Sequence, residues 1–334
     1  MSAEPTTPTT PSGYRWSTLT REDLTAWAAL VNHLAVVDGT EEHLSAEDLG
    51  EELAGPGRDP ERDTWAVWDG EDLVGFASVT VPPLTDHSGS ARAYLGGGVH
   101  AEHRGRGLGT ALMDRAEARA LELLGQRHPG VSPAHLSAGG GLEGSSAGEL
   151  LAARGYAVVR YFDLLTRGLQ DLPPVPAIEG VELGLPRPED EEEVMRAHNV
   201  AFKDHWGSGP TDPERWHEHW ASRSARPGVS TLARGRGGEL DGQVLGYVLV
   251  GQWVDREAYV TILGTVPQAR GRGIGAAALA HTLRLVADSG DFDAIELDVD
   301  SDSLTGATRL YDRLGFTRKF RTVAMRRPVT EVAG

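Results

Sequence analysis

A seven-residue glycine-arginine turn occurs twice in this chain. His103-Arg104-Gly105-Arg106-Gly107-Leu108-Gly109 returns as Ala269-Arg270-Gly271-Arg272-Gly273-Ile274-Gly275. The offset, 270 − 104 = 166 residues, is about half of the 334-residue chain, which points to two copies of one domain. Each turn follows a β-type run and opens a helical one. Glycines let the backbone lie close to a ligand, and the unpaired amides at a helix start face its negative charge. The pattern therefore predicts a phosphate-bearing ligand in one copy or in both.

Composition narrows the ligand. With 32 basic against 49 acidic residues the net charge is −17, and the field of such a chain repels nucleic acid and anionic membranes. Only Lys203 and Lys319 supply lysine, so the arginines of the two turns stand out. The absence of cysteine removes disulfides, thiolate metal sites and a cysteine nucleophile together. His217 and His219, two apart on a helical run, point to different faces and make a poor metal pair, so no metal is expected. No apolar run approaches the ~20 residues of a membrane span. Residues 1–13 are Thr/Pro/Ser-rich without a hydrophobic segment, which predicts a disordered tail and a cytoplasmic protein.

The two halves read in parallel. In the first, helices are predicted over 21–37 and 45–54. Strands over 65–68 and 73–79 flank Asp69-Gly70, and a strand over 92–99 leads into the first turn. A helix over 108–124, stopped by Gly125, a glycine-rich stretch, a short helix over 148–153 and a strand over 156–166 complete it. Leu172-Pro173-Pro174-Val175-Pro176 is too proline-dense for regular structure. The order then restarts. Helices are predicted over 189–202 and from Asp212-Pro213, and strands over 230–233, 244–250 and 258–266. The second turn heads a helix to Ser289, followed by a strand over 295–299, a helix over 305–314 and a strand over 317–326. The expected limits are a domain over 14–167, a linker over 168–180, a second domain over 181–328 and a tail over 329–334.

With the elements in this order, the residues resemble the GCN5-related N-acetyltransferases, the GNAT family. Its pyrophosphate-loop motif is Arg or Gln, two residues, Gly, one residue, then Gly or Ala. Arg104, Gly107 and Gly109 fit it, as do Arg270, Gly273 and Gly275. The second half adds a later family pattern, Ala307-Thr308-Arg309-Leu310-Tyr311-Asp312-Arg313-Leu314-Gly315-Phe316. A nicotinamide-dinucleotide fingerprint also fits Gly271 to Ala276. It normally follows its strand directly, however, and here Pro267 to Arg270 intervene.

The resemblance implies an α/β fold of two tandem domains, each a mixed sheet splayed between its fourth and fifth strands, with acetyl-CoA as acyl donor in the gap. Gly264, Thr265 and Val266 would pair with the pantetheine arm. The loop of Arg270, Gly271, Arg272, Gly273, Ile274, Gly275 and Ala276 would hold the pyrophosphate, its two arginines adding charge. The first-half counterparts are Gly97, Gly98 and Val99 with Arg104, Gly105, Arg106, Gly107, Leu108, Gly109 and Thr110.

Tyr311 stands where many members carry the tyrosine that protonates the leaving sulfur. Aligning Gly155 with Gly315 puts Leu151 there in the first half, and leucine has no proton to give. The resemblance thus implies a catalytic second domain, transferring acetyl directly to an amine, and a first domain that is structural or binds CoA without turnover. Ser303 replaces the asparagine that many relatives carry before the last helix. For the general base, Glu296, Asp298 and Asp300 share one strand face and Asp298 is the first choice, with Glu257, Asp255, His205 or a relayed water as alternatives. His205 and Trp206 follow the first helix of this half, where the family builds its acceptor pocket. The acceptor is a small-molecule or peptide amine; the cysteinyl amine of a glucosaminyl-inositol conjugate is one alternative, and a non-enzymatic acyl-CoA-binding module another. Oligomeric state is left open.

Overall fold

The computed structural model describes residues 11–41, 43–301 and 307–330. Ser303 and the outermost residues of both tails lie outside them. In chain order the first half forms β1 (Arg15–Ser17), α1 (Leu24–Asp38), α2 (Ala46–Leu53), α3 (Pro60–Asp63), β2 (Thr64–Asp69), β3 (Asp72–Thr80), β4 (Ala91–Val99), α4 (Leu108–Arg127), β5 (Ala134–Leu142), α5 (Ser146–Ala153) and β6 (Ala157–Gly168). The second half forms β7 (Val181–Gly184), α6 (Glu191–Ala201), α7 (Pro213–Trp220), β8 (Thr231–Gly235), β9 (Val244–Gly251), β10 (Glu257–Thr265), α8 (Ile274–Ser289), β11 (Ala294–Asp300), α9 (Ala307–Arg313) and β12 (Thr317–Val329).

Local chemistry explains many of these limits. Ser45 and Asp48 cap α2 reciprocally: Ser45 Oγ accepts from the Asp48 amide at 3.1 Å and the Asp48 carboxylate from the Ser45 amide at 2.9 Å. Asp212 accepts from the Arg215 amide at 3.0 Å, and Pro213 fills the first position of α7. The Asp69-Gly70 turn closes a β2–β3 hairpin with Gly70 at φ +60°. Two expectations need correction. Gly125 does not stop α4, which runs on to Arg127 and ends where the His128 amide donates to the Leu124 carbonyl at 2.8 Å. The glycine-rich stretch before α5 is the strand β5, since a ladder needs only backbone groups.

Contacts divide the chain into two compact units, and they do not follow the halves of the sequence. Unit 1 is the chain through Arg160 together with the segment from Thr322, and unit 2 is Tyr161–Arg321. The terminal strands are exchanged. β12 pairs antiparallel with β5, from Thr322↔Leu142 to Val329↔Ala134. β6 pairs antiparallel with β11, from Ala294↔Gly168 to Asp300↔Phe162. The strand order is β1-β2-β3-β4-β5-β12 in unit 1 and β7-β8-β9-β10-β11-β6 in unit 2. Residues 161–167 and 322–328 thus sit in the opposite unit from the one expected. Gly140 contributes to the exchange, because a Cβ there would stand 2.6 Å from Val323 and 2.8 Å from the Met325 sulfur.

Each unit has helices on its mixed sheet. In unit 1, Trp27 and Leu30 of α1 and Leu49 and Leu53 of α2 pack on Ala66, Trp68 and Leu73. In unit 2, Leu279, Leu283 and Val286 of α8 pack with Val260, Ile295 and Leu297 on one side. Val194 of α6 and Trp216 of α7 pack with Leu245, Tyr247 and Leu249 in a second cluster. A fully buried leucine or valine of this kind contributes roughly 1.5–3 kcal/mol.

Candidate active site

The sheet of unit 2 opens where a ligand-bearing gap is expected. β10 and β11 run parallel and are paired only from Glu257↔Ala294 to Tyr259↔Glu296. From Val260 onward β10 leaves β11, while it stays paired with β9 as far as Thr265↔Gly246. Gly264 is required by its neighbour, since a Cβ would stand 2.4 Å from the Tyr247 ring. In unit 1, β4 and β5 pair from Ala91↔Ala134 to Leu95↔Ala138, and Gly96, Gly97, Gly98 and Val99 are free of β5.

Both glycine turns have the shape their sequence implies. Gly105 and Gly271 sit at φ +73° and +76°, and no atom lies within 4 Å of where their Cβ would stand. Gly107 and Gly273, at φ +81° and +80°, are the N-caps of α4 and α8, without a side-chain cap. The first amides of each helix therefore have no intrahelical acceptor, which suits a pyrophosphate. Leu108 and Ile274 are buried and anchor the turns. Thr110 and Ala276 lie in the first turns of α4 and α8.

The arginines of both turns are engaged by the protein itself. Arg104 Nε donates to the Val99 carbonyl at 3.0 Å, and its guanidinium grips Asp38 at 2.8 and 2.6 Å. Arg270 Nε donates to the Thr265 carbonyl at 3.3 Å, Nη2 to the Ala201 carbonyl at 2.7 Å, and Nη1 lies 3.4 Å from Asp204. Arg106 donates to Tyr14 Oη at 3.2 Å, and Arg272 to the Glu179 carbonyl at 3.1 Å. These side chains tie the turns to the protein.

α9 lies beside the second turn, where Leu310 reaches 4.0 Å from the Cβ position of Gly275. Tyr311 is buried next to Phe316, ring centroids 5.9 Å apart, and burial pushes its phenol up to about 12. It therefore holds its proton at neutral pH. In unit 1, Leu150 stands 3.1 Å from the Cβ position of Gly109, and Leu151 is the buried residue beside it. The alignment of Leu151 with Tyr311 is thus reproduced in space.

The carboxylates of β11 separate. Glu296 is buried and bound to Lys319 at 2.7 Å. Asp300 is buried too. Asp298 keeps solvent contact and accepts from Tyr259 Oη at 2.7 Å. Crowding by protein atoms, with the charges of Glu296 and Asp163, raises its carboxyl above the usual range against that hydrogen bond. Trp253 meets Tyr259 edge-on at 5.8 Å.

Sequence reasoning missed a β-bulge. The register of β9 on β10 slips between Val260 and Ile262, which leaves Thr261 as the extra residue at the mouth of the gap. His219 of α7 lies with Nε2 3.3 Å from Thr261 Oγ1, while Thr261 Oγ1 donates to the Leu249 carbonyl at 3.2 Å. One signal was available: positions 216, 219 and 220 share a helical face, so His219 follows the buried Trp216 inward. His217 instead stays exposed, 2.9 Å from Glu191.

His205 and Trp206 lie on the connection from α6 to α7. His205 packs on Phe202 and its Nδ1 is 3.1 Å from the Trp206 carbonyl, while the preceding Asp204 faces Arg270. Among the described residues no group of three or more His, Asp or Glu side chains is placed to hold a metal.

The model of the Acetyltransferase (GNAT) family matches residues 20–129 and 192–316, one stretch in each half. A mycothiol acetyltransferase from Tsukamurella paurometabola is 33% identical over 262 residues, which are 75% of this chain and 82% of that protein. One from Kytococcus sedentarius is 31% identical over 314 residues, 90% and 92% of the two chains. A GCN5-related N-acetyltransferase structure from Sphaerobacter thermophilus matches with TM-score 0.74 and 26% identity, covering 98% of this chain and 100% of that one. A tandem GNAT protein from the clavulanic acid biosynthesis pathway has the same fold, with TM-score 0.67, 20% identity and coverage of 94% and 98%.

Proposed function

The chain belongs to the acetyltransferase (GNAT) family and is an N-acetyltransferase; from that premise we propose that unit 2 alone performs the transfer, moving acetyl from acetyl-CoA directly to a primary amine. The observation that carries this reading is Tyr311 on α9, the residue after the Leu310 that reaches the second turn, where unit 1 has Leu151 after Leu150. Acetyl-CoA lies along Gly264, Thr265 and Val266, with its pyrophosphate on the amides of 271–276. Tyr311, held protonated by burial, gives its proton to the departing sulfur. Asp298 and Tyr259, with Trp253, line the acceptor's approach and hold it by hydrogen bonds. His205 and Trp206 belong to the same approach through the connection that leads into α7. Unit 1 is structural or binds CoA without turnover.

The acceptor is a small-molecule amine. The relatives named mycothiol acetyltransferase, at 31–33% identity over most of this chain, favour the cysteinyl amine of a glucosaminyl-inositol conjugate as one member of that class. Among the described residues no helix is long and apolar enough to cross a membrane, and we place the reaction in the cytoplasm.

CoA release from acetyl-CoA, followed across a panel of amines that includes this conjugate, tests the reading. Amine-dependent release in the wild type, reduced about 10²-fold or more in Tyr311→Phe and unchanged in Leu151→Ala, is the expected outcome. Release that persists in Tyr311→Phe would remove the tyrosine from the mechanism, and the absence of amine-dependent release would remove the reading.

A further inference from the structure

We propose that His219 is the group that takes the proton from the acceptor amine, delivered to the reaction from α7 and held in place by the bulge at Thr261. The proposal rests on the acetyl-transfer reading of the same site. It starts from where the bulge falls. β10 leaves β11 after Tyr259, and the slip in register comes at the next two residues, so Thr261 stands where the gap opens. The extra residue of a bulge turns its side chain out of the regular alternation. Here the side chain meets a histidine from another element.

Hydrogen-bond direction then fixes the ring. The single hydroxyl proton of Thr261 goes to the Leu249 carbonyl, so Thr261 Oγ1 receives the proton of His219 Nε2. The imidazole is therefore the Nε2-protonated tautomer, and its Nδ1 lone pair is the basic site. Among the described residues the ring has no other hydrogen-bond partner, and it packs at a tilt against Trp216, centroids 5.9 Å apart. Among the described residues no carboxylate is paired with it to stabilise an imidazolium at rest. Desolvation holds its proton affinity below the ordinary histidine range, so it is neutral and ready to accept at neutral pH. The other candidates are less suited. Glu296 is committed to Lys319, and Asp298 is engaged by Tyr259.

The step balances as follows. An ammonium acceptor loses one proton to His219 Nδ1, which later passes it to water. The neutral nitrogen attacks the thioester carbonyl carbon, forming C–N and a tetrahedral oxyanion. Collapse breaks C–S, and the sulfur leaves with the proton of Tyr311. The proton still carried by the acylated nitrogen returns the phenol to its starting state. The products are the amide, CoA thiol and one proton released to solvent.

The test uses the full chain and the amine that supports the fastest CoA release in the wild type. His219→Gln keeps an amide donor near the Nε2 position and removes the base, and His219→Ala removes both. We expect kcat/KM for the amine to fall about 10²-fold in each. The Kd for acetyl-CoA should stay within twofold of wild type, and added imidazole should restore the rate of His219→Ala in a saturable manner. Wild-type turnover in His219→Gln would overturn the proposal and leave the acetyl-transfer reading standing. Loss of acetyl-CoA binding, or loss of rate that imidazole does not rescue, would also overturn it by assigning His219 to the packing of α7. A wild type without amine-dependent release would overturn the acetyl-transfer reading itself.

Discussion

Unit 1 keeps β4 and β5 paired through Leu95, whereas unit 2 releases β10 from β11 after Tyr259. Counted from the common turn, Leu95 corresponds to Thr261, the bulge residue, so unit 1 is still an intact parallel ladder at the position where unit 2 bulges and opens. The arginine of the turn shows the same contrast. Arg104 and Asp38 form a bidentate pair at 2.6 and 2.8 Å, with both side chains about a third exposed. Arg270 and Asp204, each exactly 166 residues further on, are 3.4 Å apart, and Asp204 is 75% exposed. The copy with Leu151 has the tighter turn and the shorter opening. The copy with tyrosine has the looser turn and the longer one. The same framework thus carries two different degrees of closure at the turn and the sheet opening.

The sharpest way to break this comparison is at the turn glycines. Gly107→Val and Gly273→Val impose the same strain, because both glycines sit near φ +80° as N-caps. With a cost of roughly 1–2 kcal/mol for a side chain in that conformation, Gly273→Val should lower kcat/KM at least about 10-fold. Gly107→Val should leave it within twofold. Equal losses in steady-state assays would show that both units turn over. Next in size is the arginine pair. Asp38→Ala leaves a half-buried guanidinium without its partner and should cost about 2 kcal/mol in urea unfolding. Asp204→Ala should cost less than about 0.5 kcal/mol. Similar costs at the two sites would mean that the tight pair has no energetic weight.

The smallest effect concerns acid. His135 of β5 has its imidazolium lowered to about 4, first by burial and then by Arg326 and Arg92, against the pull of Asp86. A lowered folded value means that the unfolded chain binds the extra proton below about 6.5. Unit 1 should therefore lose stability as the pH falls from 6.5 toward 4. The loss between pH 7 and pH 5 should be on the order of 1 kcal/mol after allowing for residual solvent contact. Hydrogen exchange resolved by unit should show unit 1 opening first in that window, and His135→Gln should flatten the response.

Much of the framework was legible because it is local. Caps such as Ser45 and Asp212, the Asp69-Gly70 hairpin and the uncapped helix starts behind Gly107 and Gly273 depend on residues a few positions apart. What was not legible depends on pairing across long separations. Nothing near Gly139-Gly140-Gly141 announces that the run is a strand, because its partner, Val323 and Met325, lies in the other half of the chain. The protein partners of the turn arginines were not legible for the same reason: Asp38 and Asp204 are far away in sequence. The alternation of Glu296, Asp298 and Asp300 correctly placed three carboxylates on one strand, but only the tertiary partner of each decides its chemistry. His219 was weighed as a metal ligand because the bulge it faces belongs to a strand some forty residues later.

The strand exchange bears on how such a chain can evolve. Neither half of the coding sequence specifies a complete sheet, because each contributes its last strand to the other unit. Deleting the first copy would strip β6 from β11 and leave a bare edge in unit 2, open to self-association. The first copy is then no longer dispensable, whatever it binds. The duplication has become irreversible by single deletion, and the retained first half needs no activity of its own to explain its persistence.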